Sequence, residues 1–430
     1  MSEPLALHGG PKAVQIPYQE GWQQVTEAEI QAVLGLLRRN ILSIGDGSGI
    51  IGEFERAFAE FCGTRYALAM NSGTATLHSA YFACGVGPGT EVIVPAYTWH
   101  ATITPILHCA ATPVFCEIDP RTLTADPADI ERRITPRTKA IAVVHVWGMP
   151  ARMDAITAIA RRHGVRLIED CSHAHGATYQ GRPVGSWGDI GCFSLQGSKA
   201  VSGGEAGVAT TNDPELFDRM LLLGHFGRIA SGEKANTFVH LGDMSLGTKY
   251  RPHPLAIAIA NEHLKRLPEL NRLRRRNFEL LREHLRDCPG LRPIEPYPEA
   301  VPAAFLEFKL HYEPQACGGL SREQFAEAVQ AEGAPLSVDR YSNFNYTYGL
   351  LHLAPLFNTF DRTQLGGCFY DPTVNGGKPV ERYRPGSLPV TEQVCQQLLG
   401  FPAFTDVPEE FVIQCAQAVR KVAAAAPTLQ

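Results

Sequence analysis

The sequence predicts an α/β protein: a large domain on a mostly parallel sheet of about seven strands, then a smaller α+β domain. Three observations carry this. Between residues 66 and 211, short and nearly continuous apolar runs alternate with helical stretches, the pattern of strands covered on both faces. The chain has 430 residues, more than one hydrophobic core usually supports. Beyond about residue 270 the alternation gives way to a loop-rich texture, so the expected division is 1–270 (with an N-terminal arm) and 271–430.

The elements follow in order. Thr26 and Glu29 form a capping box, and Ile30, Val33, Leu34 and Leu37 share one face of the helix it opens. A second helix around Phe54 to Phe61 leads into a strand at Tyr66–Met70. Further strands are expected at Glu91–Ala96, Thr112–Ile118, Ala140–Val146, Arg166–Glu169, Gly191–Leu195 and Gly207–Thr211, with a helix at Ala151–His163. The last strands are closely spaced, so one or two of them are expected to run antiparallel. A long helix spans about Pro254 to Asp287, with a break expected at Pro268. Its charged run Arg272-Leu-Arg-Arg-Arg276 reads as a solvated face. A strand at Ala304–His311, a helix opening at Ser321 with Gln324 as capping partner, a loop-rich stretch from Val338 to Arg384 and a helix at Glu409–Ala424 complete the chain.

Composition excludes several classes of function. Hydrophobic residues make up 44% and charged residues 19%, ordinary for a globular enzyme and unlike a disordered chain. The net charge is -5 with Lys and Arg scattered, which gives no footing for nucleic-acid binding. No apolar run approaches the roughly 18 residues of a membrane span. Met1 to Gly10 lacks a charged region followed by an apolar core, so a cytoplasmic enzyme is expected. Eleven cysteines, none in C-x-x-C spacing and most within apolar stretches, read as buried reduced thiols rather than a disulfide frame or zinc site.

Three segments carry chemistry. Asn71-Ser-Gly-Thr-Ala75 lies where a strand ends and a helix begins; a phosphate site at the helix N-terminus and a plain N-cap both fit it. Ile168-Glu-Asp-Cys-Ser-His-Ala-His-Gly176 follows a buried strand, which aims Asp170 into the ligand crevice or uses it to cap the next turn. His173 and His175 alternate as metal ligands can, but Glu117 and Asp119 are too loosely placed to complete a set, and no metal is expected. Phe193-Ser-Leu-Gln-Gly-Ser-Lys199 ends in a lysine among small residues, as a Schiff-base site needs and as a surface turn also permits. In combination and in this order, a phosphate cup, an acid after a central strand and a lysine in a small-residue turn are the parts a pyridoxal 5′-phosphate (PLP) enzyme requires.

These segments resemble the DegT/DnrJ/EryC1/StrS family of sugar aminotransferases over nearly the whole chain. The likeness runs from Gly52-Glu-Phe-Glu-Arg-Ala-Phe-Ala-Glu-Phe-Cys-Gly63 through Val92-Ile-Val-Pro-Ala-Tyr-Thr-Trp99 and Lys249-Tyr-Arg251. It continues to Gly386-Ser-Leu-Pro-Val-Thr-Glu392 and Phe401-Pro-Ala-Phe404. The resemblance implies the type I, aspartate-aminotransferase-like fold and a homodimer with shared active sites. It implies that Lys199 holds PLP, which cycles with pyridoxamine phosphate, and that Asp170 pairs with the pyridine nitrogen. Trp99 would stack on the ring, and Ser72, Gly73, Thr74 and Ser194 would bind the phosphate. His173 stands where the family usually has Gln near the cofactor's 3′-oxygen. Lys249 replaces the Asn of an Asn-Tyr-Arg motif that, with Arg251, reaches the phosphate from the partner subunit.

His-Ala-His-Gly after Asp170 and Ser-Leu-Gln before Lys199 are most similar to the cyclitol branch, which implies amination of scyllo-inosose or 2-deoxy-scyllo-inosose with L-glutamine. Tyr341 to Phe357, with His352, is expected to wall the acceptor or to be an ordinary packed loop. The alternatives are a nucleotide-keto-sugar aminotransferase, a 3-amino-5-hydroxybenzoate synthase-like enzyme and a PLP-type sugar dehydratase. Dehydrating relatives often carry His at the lysine position, so Lys199 speaks against the last. A non-catalytic protein on the same fold is opposed by Lys199, Asp170 and Trp99 together.

Overall fold

The computed structural model describes residues 4–19, 25–230, 238–241, 246–342, 349–358 and 383–428. Thr26 opens helix α1 (Glu27–Arg38) with the expected capping box. Helix α2 (Gly49–Cys62) closes on Gly63 in the left-handed conformation. The apolar runs then form β1 (Tyr66–Met70), β2 (Glu91–Pro95), β3 (Thr112–Cys116), β4 (Thr138–Val144), β5 (Arg166–Asp170), β6 (Ile190–Ser194) and β7 (Gly207–Thr211). They make one sheet in the order β1-β7-β6-β5-β4-β2-β3. Only β7 runs antiparallel to its neighbours, which accounts for the close spacing of the last strands.

Both faces of the sheet are covered. Leu68 and Met70 face α3 (Gly73–Ala83), while Ala67 and Ala69, pointing the other way, face α2. Helix α4 (Met153–His163) packs Met153 and Ile156 over Ile141 and Val143, and α5 (Pro214–Gly224) packs Leu216 and Met220 beside α3. The strand ends nearest the crevice come so close that two glycines are required. A Cβ on Gly73 would lie 2.6 Å from the Ser194 Cβ, and one on Gly207 would lie 2.4 Å from the Ser72 carbonyl oxygen.

Helix α6 (Pro254–Leu285) runs unbroken through Pro268, against the expected break. Proline costs the helix one hydrogen bond. Burial of Leu264 and Leu267 in the core beneath the large sheet, and of Phe278, Leu281 and Leu285 in the core of the second sheet, holds both halves in line. The charged run on this helix is also corrected: Arg274 is buried, not solvated. Its Nε donates to Thr405 Oγ1 at 2.8 Å and its Nη1 to the Phe305 carbonyl at 3.0 Å, and burial pushes its pKa down to about 9. Arg276 donates to the Val407 carbonyl, and Arg272, exposed, pairs with Glu269.

The second sheet contains β8 (Leu291–Pro293), β9 (Glu307–Tyr312), β10 (Ser337–Val338) and β11 (Leu398–Pro402) in the order β8-β9-β11-β10, all antiparallel. Helix α7 (Arg322–Ala331) has the expected Ser321–Gln324 capping box. It and α9 (Glu409–Ala425), which follows α8 (Pro389–Cys395), cover this sheet with Phe325, Val329, Phe411 and Val419. The N-terminal arm is clasped to the same unit. Buried Glu332 accepts the Ala6 N–H at 2.7 Å and the Ala13 N–H at 3.0 Å, and pairs with Lys421. The Tyr18 ring stacks on Phe411 at 5.4 Å.

On α1 the structure departs from the sequence reading: Leu36 is buried, whereas Ile30 and Leu37 are exposed. The ten described cysteines are free, and Cys368 lies outside the described residues, as do 343–348 and 359–382 of the loop-rich stretch. No described helix is long and apolar enough to cross a membrane.

Candidate active site

Strand β5 delivers two adjacent carboxylates to opposite faces. Glu169 points toward the turn after Pro183, accepting the Gly185 and Gly188 N–H groups at 2.9 and 2.7 Å and meeting His145 Nε2 at 3.0 Å. With Cys171, these two residues bring ligand atoms within 4.8 Å of one another, but every Glu169 oxygen already has a backbone donor. Asp170 points the other way, into the crevice at the carboxyl ends of the strands. Its Oδ2 accepts from Thr102 Oγ1 at 2.8 Å, its Oδ1 accepts the Ser172 N–H at 3.1 Å, and Thr98 meets the Thr102 hydroxyl at 2.9 Å. Asp170 thus both caps its turn and faces the crevice.

Lys199 enters the same crevice from the turn after β6. Gln196 ties this turn down, its carbonyl accepting the Lys199 N–H at 2.8 Å and its side chain accepting from Ser198. Burial pushes the Lys199 pKa down to about 8; the Asp170 carboxylate opposes this shift and the Arg340 guanidinium adds to it. A lysine so placed holds a large neutral, nucleophilic fraction near pH 8. Amine acetylation of the cofactor-free protein at Lys199 is therefore expected to rise with pH through about 8. Asp170→Asn removes the group that favours the charged amine, so it is expected to move the Lys199 midpoint lower still. Competitive labelling read by mass spectrometry checks both, and a Lys199 midpoint near 10 would refute the depressed value.

The N-terminus of α3 faces Ser194 across the gap that only Gly73 permits. Ser72 Oγ accepts the Ala75 N–H at 3.1 Å, so the N-cap reading holds. The cup remains beside it: free first-turn N–H groups, Thr74, and Ser194 with no Cβ between.

The opposite wall joins His173 and Tyr341, which the sequence singled out, to Trp147, Lys309 and Asp339, which it did not. Trp147 is fully buried with φ +54°, a left-handed conformation that strains a bulky residue. Four contacts fix it there. Its N–H donates to His173 Nδ1 at 3.3 Å, its indole N–H donates to Tyr97 Oη at 2.8 Å, its ring lies 4.7 Å from Tyr341, and the Lys309 ammonium sits 4.1 Å over it. Because His173 Nδ1 accepts, its proton belongs on Nε2, 3.4 Å from Tyr341 Oη. Burial holds this ring's pKa well below its ordinary value, so it is a neutral donor at Nε2. Buried Lys309 pairs with Glu307 and, at 2.6 Å, with Asp339, whose other donors are Tyr97 Oη at 2.7 Å and the Ser342 N–H at 2.9 Å. Burial would raise the Asp339 pKa, but Lys309 and these donors hold it below its usual value. Residues 97, 147, 307–309 and 339–341 share no spacing; only the fold unites them.

Of the other expected positions, Trp99 lies at the mouth with its ring 6.0 Å from Tyr341 and is 44% exposed. Tyr341 is brought to the site, whereas His352 packs elsewhere, with Nε2 3.1 Å from Glu392 and its ring beside Phe115 of β3. Lys249 and Arg251 line a separate depression with Ile44 to Asp46 and Gly224 to Arg228.

An amine poised near neutrality, a buried carboxylate facing it across the crevice, and a helix-terminus cup beside them fit the carbonyl, ring nitrogen and phosphate of PLP. Fold and site together define a PLP-dependent transferase on an open α/β sheet. The model of the DegT/DnrJ/EryC1/StrS aminotransferase family matches residues 23–364, and the chain belongs to that family. It is a PLP-dependent aminotransferase. Among its relatives is the L-glutamine:2-deoxy-scyllo-inosose aminotransferase of Streptoalloteichus tenebrarius, 36% identical over 92% of each chain. The L-glutamine:scyllo-inosose aminotransferase of Streptomyces griseus is 35% identical over 77% of this chain and 80% of its own. Among solved structures, DesI in the presence of its TDP-sugar product superposes with a TM-score of 0.78, at 29% identity over 99% of this chain and 97% of that one.

Proposed function

We propose that this enzyme moves an amino group from L-glutamine to a keto-cyclitol such as scyllo-inosose or 2-deoxy-scyllo-inosose. The observation that carries this reading is the likeness, across 92% of both chains, to an enzyme named for that donor and that acceptor class.

PLP, when bound, supplies the electron sink and carries the amino group between two half-reactions. The residues of this chain do the rest. The first-turn N–H groups of α3, with Ser72, Gly73, Thr74 and Ser194, bind the phosphate. Trp99 covers the ring face. Asp170, held by Thr102 and the Ser172 N–H, keeps the ring nitrogen protonated. His173 donates from Nε2 toward the ring oxygen. Lys199 Nζ holds the cofactor and, once released, takes the proton from the donor Cα as a general base. Lys249 and Arg251 serve the neighbouring copy of a cytoplasmic homodimer. The exposure of Val25, Ile30, Leu37 and Leu42 supports that assembly, because apolar side chains grouped on a surface mark an interface. We place the border between the PLP-binding and small domains near residue 270, within α6.

A second reading, a nucleotide-keto-sugar acceptor, is favoured by the likeness to DesI. Incubation of the holoenzyme with L-glutamine and either scyllo-inosose or nucleoside-diphosphate keto-sugars, with the amine product detected by mass spectrometry, separates the two. Amination of the cyclitol alone supports the proposal; amination of the nucleotide sugar alone overturns it.

A further inference from the structure

We propose that His263 is a positioning residue for Lys199, its imidazole holding the loop between β6 and β7 where the lysine can reach the crevice. The inference rests on the role given to Lys199 above and concerns a residue that neither the motifs nor the spacing singled out.

The loop is closed at its base. The Leu195 N–H donates to the Ala206 carbonyl at 2.8 Å, and the Leu195 carbonyl accepts the Gly203 N–H at 2.8 Å. The Lys199 and Gly204 N–H groups bond within the loop, to the Gln196 carbonyl and to Ser202 Oγ. These bonds give the loop its shape but leave its tilt over the sheet open. Among the described residues, one hydrogen bond reaches residues 196–205 from beyond the flanking strands. The buried Ser202 N–H, three positions after Lys199, donates to His263 Nδ1 on α6 at 3.2 Å.

Packing brings the loop to the same helix. Ala200 and Val201 share a core with Ile257, Ala260 and Leu264. A Cβ on Gly203 would stand 2.5 Å from the Ala256 carbonyl oxygen, so glycine lets the loop settle onto α6. Ala256 and His263 are seven positions apart, two turns, and share one face of the helix. Apolar contact is non-directional and tolerates sliding, whereas a hydrogen bond weakens steeply once misaligned. The Ser202 bond therefore sets where along α6 the loop rests.

The imidazole is itself held. Because Nδ1 accepts, the ring proton belongs on Nε2, which lies 3.3 Å from Glu29 Oε1 of α1. The approach is too oblique for a hydrogen bond, so the carboxylate acts on this N–H as a charge. Glu29 is fully buried and accepts from Arg266 Nη1 at 2.8 Å and from the Thr26 N–H at 2.6 Å. Burial would raise the Glu29 pKa, but Thr26 and Arg266 hold it below its usual value, so it stays ionised. Burial lowers the His263 pKa, Glu29 opposes the shift and Arg266 adds to it. The ring is thus neutral at pH 7, with its Nδ1 lone pair kept for Ser202. The precision matters because Lys199 Nζ must serve as both anchor and base, and a displacement of about 1 Å can cost on the order of 10²-fold in rate.

The test compares two substitutions. His263→Leu removes both polar contacts at similar volume; His263→Gln offers a carbonyl oxygen to Ser202 and an N–H to Glu29. In single-turnover assays of the holoenzyme with L-glutamine, the leucine variant is expected to lose about 10- to 100-fold in rate. The glutamine variant should stay within about threefold of wild type, and the KM for the acceptor should hold in both. A second arm needs no substrate. In cofactor-free protein, a loosened loop admits water to the buried amine, so His263→Leu should move the Lys199 labelling midpoint from about 8 toward about 10.4. Should the leucine variant fail to fold, His263→Met, whose unbranched side chain fills irregular space, repeats the removal. An apolar variant with wild-type rate, a glutamine variant as slow as the apolar one, or a Lys199 midpoint unmoved by the apolar variant each overturns the inference. A wild-type enzyme that processes no amino acid would instead sink the role of Lys199, and it would be seen without any variant.

Discussion

Lys199→Ala is expected to abolish amino transfer, with the rate of the donor half-reaction falling at least about 10³- to 10⁴-fold. In the proposed mechanism the side chain serves twice, as the anchor of the cofactor and as the base at the donor Cα, and a positioned general base alone contributes roughly 10²–10⁴-fold. Single-turnover assays with L-glutamine measure the loss; a variant retaining a tenth of the wild-type rate would remove Lys199 from both roles. The same substitution has a second readout. In the cofactor-free fold burial lowers the amine's pKa to about 8, whereas in the unfolded chain it is about 10.4. A base whose folded pKa is lowered costs stability wherever both states are protonated. The cost is fully present below pH 8 and fades as pH rises toward about 10.4. Cofactor-free Lys199→Ala should therefore melt higher than the cofactor-free wild type at pH 7, and the difference should shrink by pH 10.

Asp170→Ala is expected to lower the turnover number by about 10²–10³-fold, the range seen when one preorganised electrostatic partner is removed from a reacting centre. The reason lies in the geometry of the carboxylate. Thr102 and the Ser172 N–H occupy one direction at each oxygen, and the proposed mechanism gives the carboxylate a protonated ring nitrogen as its partner in the crevice. Asp170→Asn keeps the shape but not the charge, and should lose nearly as much activity. Asp170→Glu keeps the charge and should recover part of it. PLP content, measured after dialysis, is expected to fall far less than turnover, because the cup proposed for the phosphate is separate from Asp170. A loss under tenfold in the alanine variant, with PLP retained, would count against the role given to Asp170.

How much of this was legible beforehand depended on whether the determinants were local. Tyr66–Met70 and Gly207–Thr211 have the expected bounds, because polar and glycine residues punctuate both ends of a buried run. Lys199, Asp170 and the Ser72–Thr74 turn stood out because each follows a strand at the end where an open sheet binds ligands. The misses share a physical cause. Pro268 and Arg274 are read correctly only when the partners on both sides of α6 are known: buried leucines in one case, the carbonyls of residues 304 and 305 in the other. Ile30 and Leu37 form a regular apolar stripe that the single chain leaves uncovered. Trp147, Lys309 and Asp339 come from three separate segments, and no window of sequence contains their network.

The clasp on the N-terminal arm fixes an order of events during synthesis. Ala6 and Ala13 bond to Glu332, 326 and 319 positions downstream, and Pro11 accepts from Lys421, 410 positions downstream. The arm leaves the ribosome well before Lys421, roughly 20 to 80 s earlier at the usual 5–20 residues per second. Its docking is thus among the last contacts to form. A chain that stops short of α9 lacks Phe411 beneath Tyr18 and Lys421 beside Glu332, so the arm of an unfinished molecule is only partly clasped and open to proteases.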